Sequence, residues 1–131
     1  MWLRLGLALF SALISSAGLR GAETSFERGR LLYGVTCATC HQPQGEGIKG
    51  IIPPLAASDY LMADERRSVR IVLQGLSGPV VVNGIEYNGV MPPPVGLDDA
   101  KVADILTYVR ASWGNQGPPV TVATVASVRA E

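Results

Sequence analysis

"GVTCATCHQPQGEG", residues 34–47, contains both cysteines and the only histidine of this 131-residue chain. The three residues are Cys37, Cys40 and His41, within five consecutive positions. Two thiols three positions apart lie on the same side of a helical turn, and the imidazole follows directly. This C-x-x-C-H spacing is typical of covalent haem attachment, in which the thiols form thioethers and the histidine reaches the iron. The motif therefore predicts one covalently attached haem c as the cofactor.

Other uses of a cysteine pair fit this sequence less well. A thioredoxin-like dithiol requires a strand before its helix, whereas a helical pattern precedes this motif. A zinc site requires about four ligands, and the chain has no second group of cysteines or histidines. A plain disulfide between Cys37 and Cys40, in an exported binding module without haem, stays open as an alternative.

The N-terminus has the pattern of a targeting segment. Arg4 precedes an apolar run, and small residues follow at 15–17, which predicts a signal peptide over residues 1–17 with cleavage as late as residue 22. The run is shorter than the roughly 20 residues of a spanning helix, so an uncleaved membrane anchor is the less favoured alternative. We expect an exported, periplasmic protein. The 11 basic and 11 acidic residues balance, so nothing indicates a nucleic-acid partner.

The first predicted helix starts after Thr24 and runs into the motif. Thr24 and Glu27 have the spacing of a capping box, in which each side chain bonds the other residue's backbone N–H. Gly29 inside this helix costs about 1 kcal/mol relative to alanine, and we expect the close approach of another helix to offset that cost. The residues predicted to share one helical face are Phe26, Arg30, Tyr33 and Cys37.

A loop over residues 41–58, rich in Gly and Pro, separates this helix from the remaining elements. A helix is predicted over residues 64–75, with Gly75 as its C-terminal stop, and Asn83-Gly84 predicts a type I′ hairpin turn within residues 80–87. The clearest helix runs from Asp98 to Gly114, and a short helix is predicted from about Thr121. The pattern indicates an all-α domain of three to five short helices with one β-hairpin. The apolar stripe of the clearest helix comprises Val102, Ile105, Leu106, Val109 and Trp113.

A haem iron held by one histidine has a sixth position for another ligand. Met91 follows Asn88-Gly89 and precedes three prolines, so we expect a rigid loop to present it. Met62 is expected to fill the core instead. Ligation by His41 and Met91 saturates the iron, which favours outer-sphere electron transfer by a protein that is not an enzyme. If Met91 does not bind, the alternative is a haem enzyme or ligand sensor with an open sixth position.

The chain resembles the class I mono-haem c-type cytochromes over nearly all of residues 23–116, with a C-terminal tail over residues 117–131. The pattern G-x-x-x-aromatic-x-x-x-C-x-x-C-H begins at Gly29, and "IIPPL" and "YNGVMPP" resemble the loops on the two sides of the haem. The resemblance implies that Gly29 and Tyr33 cross the last long helix near Leu106 and Tyr108. It also implies cofactor contacts from Pro53, whose carbonyl accepts a hydrogen bond from the proximal histidine, from Leu55 and Tyr87, and from Met91.

More narrowly, the chain is similar to cytochrome domains associated with copper nitrite reductases and periplasmic dehydrogenases. The fused forms carry a second domain that is absent here, so we expect the redox partner to be a separate molecule. The carrier is expected to be a monomer or to form transient complexes. Arg66, Arg67 and Arg70 either form a basic docking patch or, as we favour, a solvated helix face. The apolar shell predicted around the haem comprises Leu55, Val72, Ile85 and Leu106.

Overall fold

The computed structural model describes residues 22–131, so the predicted signal peptide lies outside the described residues. Within this range the chain forms six helices, one more than the upper limit predicted, and a two-stranded antiparallel sheet. None of these helices is long and apolar enough to cross a membrane. The elements are α1 (Ser25–Thr36), α2 (Ala38–His41), α3 (Asp59–Ala63), α4 (Glu65–Gln74), β1 (Leu76–Val82), β2 (Ile85–Met91), α5 (Asp99–Val109) and α6 (Val122–Arg129).

Helix α1 begins at the predicted capping box, in which Thr24 and Glu27 exchange side-chain to backbone hydrogen bonds. Its buried residues are Gly29 and Tyr33. Of the four residues predicted to share one helical face, Tyr33 is buried and Cys37 is half-buried, whereas Phe26 and Arg30 are exposed. The reason is that the helix meets the rest of the protein through a narrow line centred on the glycine, where two backbones approach closely.

Helix α5 forms the centre of the domain and packs against α1, α4 and α6. Every residue from 102 to 109 is buried, so the helix is covered on all sides and not only along the predicted stripe. The helix ends at Val109, and Trp113 has a φ of 52°, in the left-handed region. The prediction of a helix to Gly114 was wrong because the Val109 carbonyl accepts a hydrogen bond from the Asn115 side chain.

The crossing of α1 and α5 is the closest contact between helices. A Cβ atom on Gly29 would lie 1.9 Å from the Asp104 carbonyl oxygen and 2.8 Å from Tyr108 Cβ. The prediction that the helices cross near Tyr108 is therefore confirmed, with the nearest backbone at Asp104. The Tyr33 and Tyr108 rings pack beside this point with centroids 5.6 Å apart.

The predicted C-terminal helix is present as α6 and belongs to the core. Thr121 caps it, and Val125 and Val128 are fully buried against α4 and α5. The arginines of α4 contact other parts of the chain and do not form an open patch. Arg66 and Arg70 both pair with Glu131, and the Arg67 guanidinium lies 3.7 Å from the centroid of the Tyr60 ring. Both sequence interpretations of this cluster were therefore incomplete.

The hairpin is longer than predicted and includes Met91. Asn83 and Gly84 both have positive φ, as a type I′ turn requires. The strands continue through Pro79, which pairs with Asn88, to the final pair of Leu76 and Met91. Proline and asparagine are depleted in strands, so the sequence pattern ended the strands too early. In a two-stranded sheet each strand is an edge, where proline is tolerated.

Candidate cofactor site

The C-x-x-C-H motif occupies the junction of α1 and α2. Cys37 ends α1, and its carbonyl accepts the backbone N–H of His41 at 3.0 Å, so the thiols and the imidazole share one helical turn. Cys37 is half-buried and Cys40 is exposed. Burial, aided by the neighbouring Cys40, raises the pKa of the Cys37 thiol to about 11. The turn presents two thiols at different depths beside one imidazole.

His41 is 8% exposed and is oriented by one hydrogen bond. Its Nδ1 lies 3.0 Å from the Pro53 carbonyl oxygen. Because a carbonyl oxygen only accepts, Nδ1 carries the proton and Nε2 keeps its lone pair in the neutral ring. Burial lowers the pKa of His41 despite the opposing effect of the Pro53 hydrogen bond. The hydrogen bond therefore fixes the tautomer and leaves Nε2 free, as metal-binding histidines require.

Gly47 allows the loop to place the Pro53 carbonyl under the imidazole. Its φ is 62°, and a Cβ atom would lie 2.3 Å from the Ile52 carbonyl oxygen and 2.8 Å from that of Pro53. Its backbone N–H also donates to the His41 carbonyl at 2.9 Å. One glycine thus connects the motif to the chain segment that orients its histidine.

Two adjoining cavities lie between the motif, α4, α5 and the hairpin. Both cavities are partly open to solvent. Residues that line both are His41, Pro53, Leu76 and Met91. Cys37, Leu55, Val72 and Leu106 line the inner cavity, and Cys40, Ile51, Tyr87 and Val90 line the outer one.

The structure brings together most of the residues singled out from the sequence. The thiols, His41 and Met91 line the cavities, as do Pro53, Leu55 and Tyr87. Ile85 does not line either cavity, so its predicted place in the apolar shell was wrong. It lies beside the turn, two residues before Tyr87, and pairs with Val82, which is a wall residue of the inner cavity.

The two methionines differ in position. Met91 lines both cavities, whereas Met62 lines neither and packs against the core beside Gly117. The cavity walls contain no Asp, Glu, Lys or Arg among the described residues. Residues 22–131 also bring no three His, Cys, Asp or Glu side chains together in a potential metal cluster.

Asn115 supports the site and was missed from the sequence. Its side-chain N–H groups donate to the carbonyls of Leu55 and Val109, both at 2.8 Å, and its Oδ1 accepts from the Ser58 N–H at 3.2 Å. The residue is 6% exposed and ties the loop under the inner cavity to the end of α5. An asparagine after Trp-Gly is typical of a turn, so the neighbouring sequence gives no sign of this supporting role.

A small helical domain with this motif beside a deep apolar cleft belongs to the class of proteins that attach a flat prosthetic group covalently. The cytochrome c family profile matches residues 26–113. Cytochrome c-552 of Thermus thermophilus is 36% identical over 101 residues, which cover 74% of this chain and 68% of that protein.

Two further relatives are subunits of dehydrogenases. The cytochrome c subunit of the quinone alcohol dehydrogenase of Gluconacetobacter polyoxogenes is 29% identical over 129 residues, 88% of this chain and 23% of that protein. The cytochrome c subunit of gluconate 2-dehydrogenase of Pantoea cypripedii is 32% identical over 111 residues, 79% of this chain and 24% of that protein. The chain thus spans about a quarter of the length of these subunits.

The chain belongs to the cytochrome c family, and the predicted resemblance is confirmed. Its cofactor is covalently attached haem c. The relation to dehydrogenase subunits agrees with the narrower similarity inferred from the sequence, while the similarity to nitrite reductase domains stays a prediction.

The described residues fit haem on their own chemistry. Cofactor pockets are lined mainly by apolar side chains with a few polar groups, and both cavities have such walls. The walls are apolar apart from a few hydroxyl groups, one thiol lies at each cavity, and the imidazole between them keeps a free Nε2.

Proposed function

We propose that this protein is a periplasmic mono-haem cytochrome that carries single electrons to or from an oxidoreductase in a separate molecule. In this proposal Cys37 and Cys40 form the thioethers, His41 is the proximal iron ligand and Met91 is the distal one. The observation that carries the proposal is that His41 and Met91 each line both cavities. Bound haem supplies a one-electron ferrous–ferric couple.

The chain's residues would act on that couple through ligation and burial. The Pro53 carbonyl holds the His41 Nδ1–H and so raises the basicity of Nε2. A thioether from Met91 is a soft ligand that favours ferrous iron and raises the potential. Leu55, Val72 and the other apolar walls exclude water, which disfavours the extra charge of ferric iron. Each of these effects tunes a potential.

An electron carrier also fits the chemistry that the walls offer. An enzyme acting on a haem-bound substrate needs an open iron position and a group that transfers protons. The only ionisable wall residues in the described chain are cysteine, histidine and tyrosine, and three of these are assigned to the haem itself. The haem enzyme or ligand sensor is therefore the less favoured function.

The proposed partner is a dehydrogenase in a separate molecule. Support comes from the relatives that are cytochrome c subunits of the quinone alcohol dehydrogenase and of gluconate 2-dehydrogenase. Export is proposed from the targeting pattern at the N-terminus.

Absorption spectra of the exported holoprotein test the ligand set. We expect a c-type pyridine haemochrome and the weak far-red band of methionine-ligated ferric haem. Met91→Ala should abolish that band, because the variant removes the sulfur at the cavity wall. Met62→Leu is the matched control, since Met62 lies outside both cavities, and it should keep the band.

The opposite results assign the protein differently. Loss of the band in Met62→Leu but not in Met91→Ala would mean that the wrong methionine was chosen. High-spin, five-coordinate iron in the wild-type protein would favour the enzyme or sensor. Absence of any haem absorption in exported protein would refute the proposal as a whole.

A further inference from the structure

The backbone of Met91 lies directly against Gly75, the residue between α4 and β1. A Cβ atom on Gly75 would lie 2.5 Å from the Met91 carbonyl oxygen and 3.0 Å from Pro93 Cδ. Both distances are too short for a side chain at this position. The end of α4 and the base of the hairpin are thus in contact through a glycine that has no space for a side chain.

Capping of α4 explains only part of this arrangement. The Gly75 N–H donates to the Ile71 carbonyl at 2.7 Å, which is an ordinary helix ending. Its φ of 78° and ψ of −175° fall in a region that is essentially restricted to glycine. The helix cap explains the backbone conformation of Gly75. It does not explain why the Met91 carbonyl occupies the space that a side chain at residue 75 would fill.

Helix α4 gives this contact a rigid base. Val69 of α4 is fully buried, and the helix packs against both α5 and α6. The hairpin, by contrast, spans the two cavities, and an isolated two-stranded hairpin is marginal in water. At its base, the position of the Met91 backbone is therefore set by the end of α4.

We propose that Gly75 is a positioning residue for Met91: its missing side chain lets the Met91 carbonyl rest against the end of α4, which holds the thioether at the cavity. The inference rests on the proposed function, in which Met91 is an iron ligand. A side chain at residue 75 would push β2 away from α4 and withdraw the methionine sulfur from its site.

Gly75→Ala and Gly84→Ala form a matched pair of variants. Gly84, in the turn of the same hairpin, has the same positive φ of 78°, has no other atom within 4 Å of its Cβ position and lines neither cavity. Both variants introduce backbone strain, but only Gly75→Ala meets Met91. The comparison therefore isolates the contact from the general cost of replacing a glycine.

Imidazole titration of the ferric holoprotein measures how easily Met91 leaves the iron, with the far-red band as the signal. Strain relieved by release of Met91 should strengthen apparent imidazole binding about tenfold or more in Gly75→Ala. Gly84→Ala should stay near the wild-type affinity. The free energy of unfolding is measured for both variants in parallel. A purely structural role of Gly75 would require the two variants to differ in global stability by a factor similar to their difference in imidazole affinity.

The outcomes separate this inference from the ligand assignment. If Met91→Ala keeps the far-red band, Met91 is not a ligand and both proposals fail. If Met91→Ala loses the band while Gly75→Ala and Gly84→Ala bind imidazole alike, only the role of Gly75 is refuted. If Gly75→Ala yields too little holoprotein, both variants are produced at a lower temperature, and the same difference is expected.

Discussion

Replacing Gly29 with alanine adds one methyl group where α1 and α5 are in backbone contact. The new carbon would lie 1.9 Å from the Asp104 carbonyl oxygen, 2.6 Å from its carbonyl carbon and 2.8 Å from Tyr108 Cβ. The first two atoms belong to the backbone of a helix that is buried on all sides, so no side-chain rotation can relieve the overlap. The two helices must move apart.

The expected cost follows from three contributions. Overpacking a core costs about 1–3 kcal/mol, and the contact with backbone favours the upper end. Separation also loosens the pairing of the Tyr108 ring with Phe26 and Tyr33, whose centroids lie 5.1 Å and 5.6 Å from it, and such pairs contribute about 0.5–1.5 kcal/mol each. The higher helix propensity of alanine offsets this loss by about 1 kcal/mol. We expect Gly29→Ala to destabilise the holoprotein by about 2–4 kcal/mol.

Gly34→Ala is the control because Gly34 lies in the same helix, is exposed, and has no atom within 4 Å of its Cβ position. Propensity alone should make this variant more stable than wild type by about 0.5–1 kcal/mol. Guanidinium unfolding followed by far-ultraviolet circular dichroism measures both changes. A Gly29→Ala protein as stable as wild type, or an equal loss in Gly34→Ala, would refute the reasoning.

Two further variants test the Asp104 carboxylate at the crossing of α1 and α5 and the Gly47 loop beside His41. Burial opposes ionisation of Asp104, but the hydrogen bonds from Arg28 and Ser25 together with the Arg28 charge outweigh it and hold the pKa of this carboxyl below its ordinary value. This stabilisation is present above the ordinary pKa and is lost as pH falls through the folded-state pKa. Asp104→Asn should therefore flatten the decline of the unfolding midpoint below about pH 4, and an unchanged decline would contradict this. Gly47→Ala should weaken the hydrogen bond between His41 and the Pro53 carbonyl, reduce electron donation to iron and raise the reduction potential in voltammetry. Gly50→Ala, with positive φ and open space, should leave the potential unchanged, and equal shifts in both would rule out the loop contact as the cause.

Features carried by local chemistry could be predicted from the sequence. The Thr24–Glu27 capping box forms as expected, because both partners lie within one helical turn. The turn at Asn83-Gly84 is also present, since positive φ at two consecutive residues selects these residue types. The spacing of the cysteines and His41 likewise indicated the cofactor without knowledge of the fold. In each case the interacting groups are only a few residues apart in the chain.

Features that depend on distant partners could not be predicted in this way. Trp113 continued the helical stripe of α5 in the sequence, yet the helix ends four residues earlier because Asn115 takes the Val109 carbonyl. Met91 was expected in a rigid loop, yet it is the last residue of a strand paired with Leu76. Proline stiffness and strand pairing both present a side chain from a fixed backbone. Met91 therefore lines the cavities although its predicted local structure was wrong.

The glycines of this protein make contacts that could not be predicted from the sequence. Composition and spacing identify them as turn or helix-ending residues, and several, including Gly50 and Gly78, have only open space around them. Gly47 and Gly75 differ, since each is in contact with a distant carbonyl, that of Pro53 on the histidine side and that of Met91 on the methionine side. Both proposed iron ligands are therefore positioned by main-chain contacts that only a residue without a side chain permits. Such contacts restrict backbone movement on both sides of the cofactor, and a site that moves little between oxidation states is what rapid electron transfer requires.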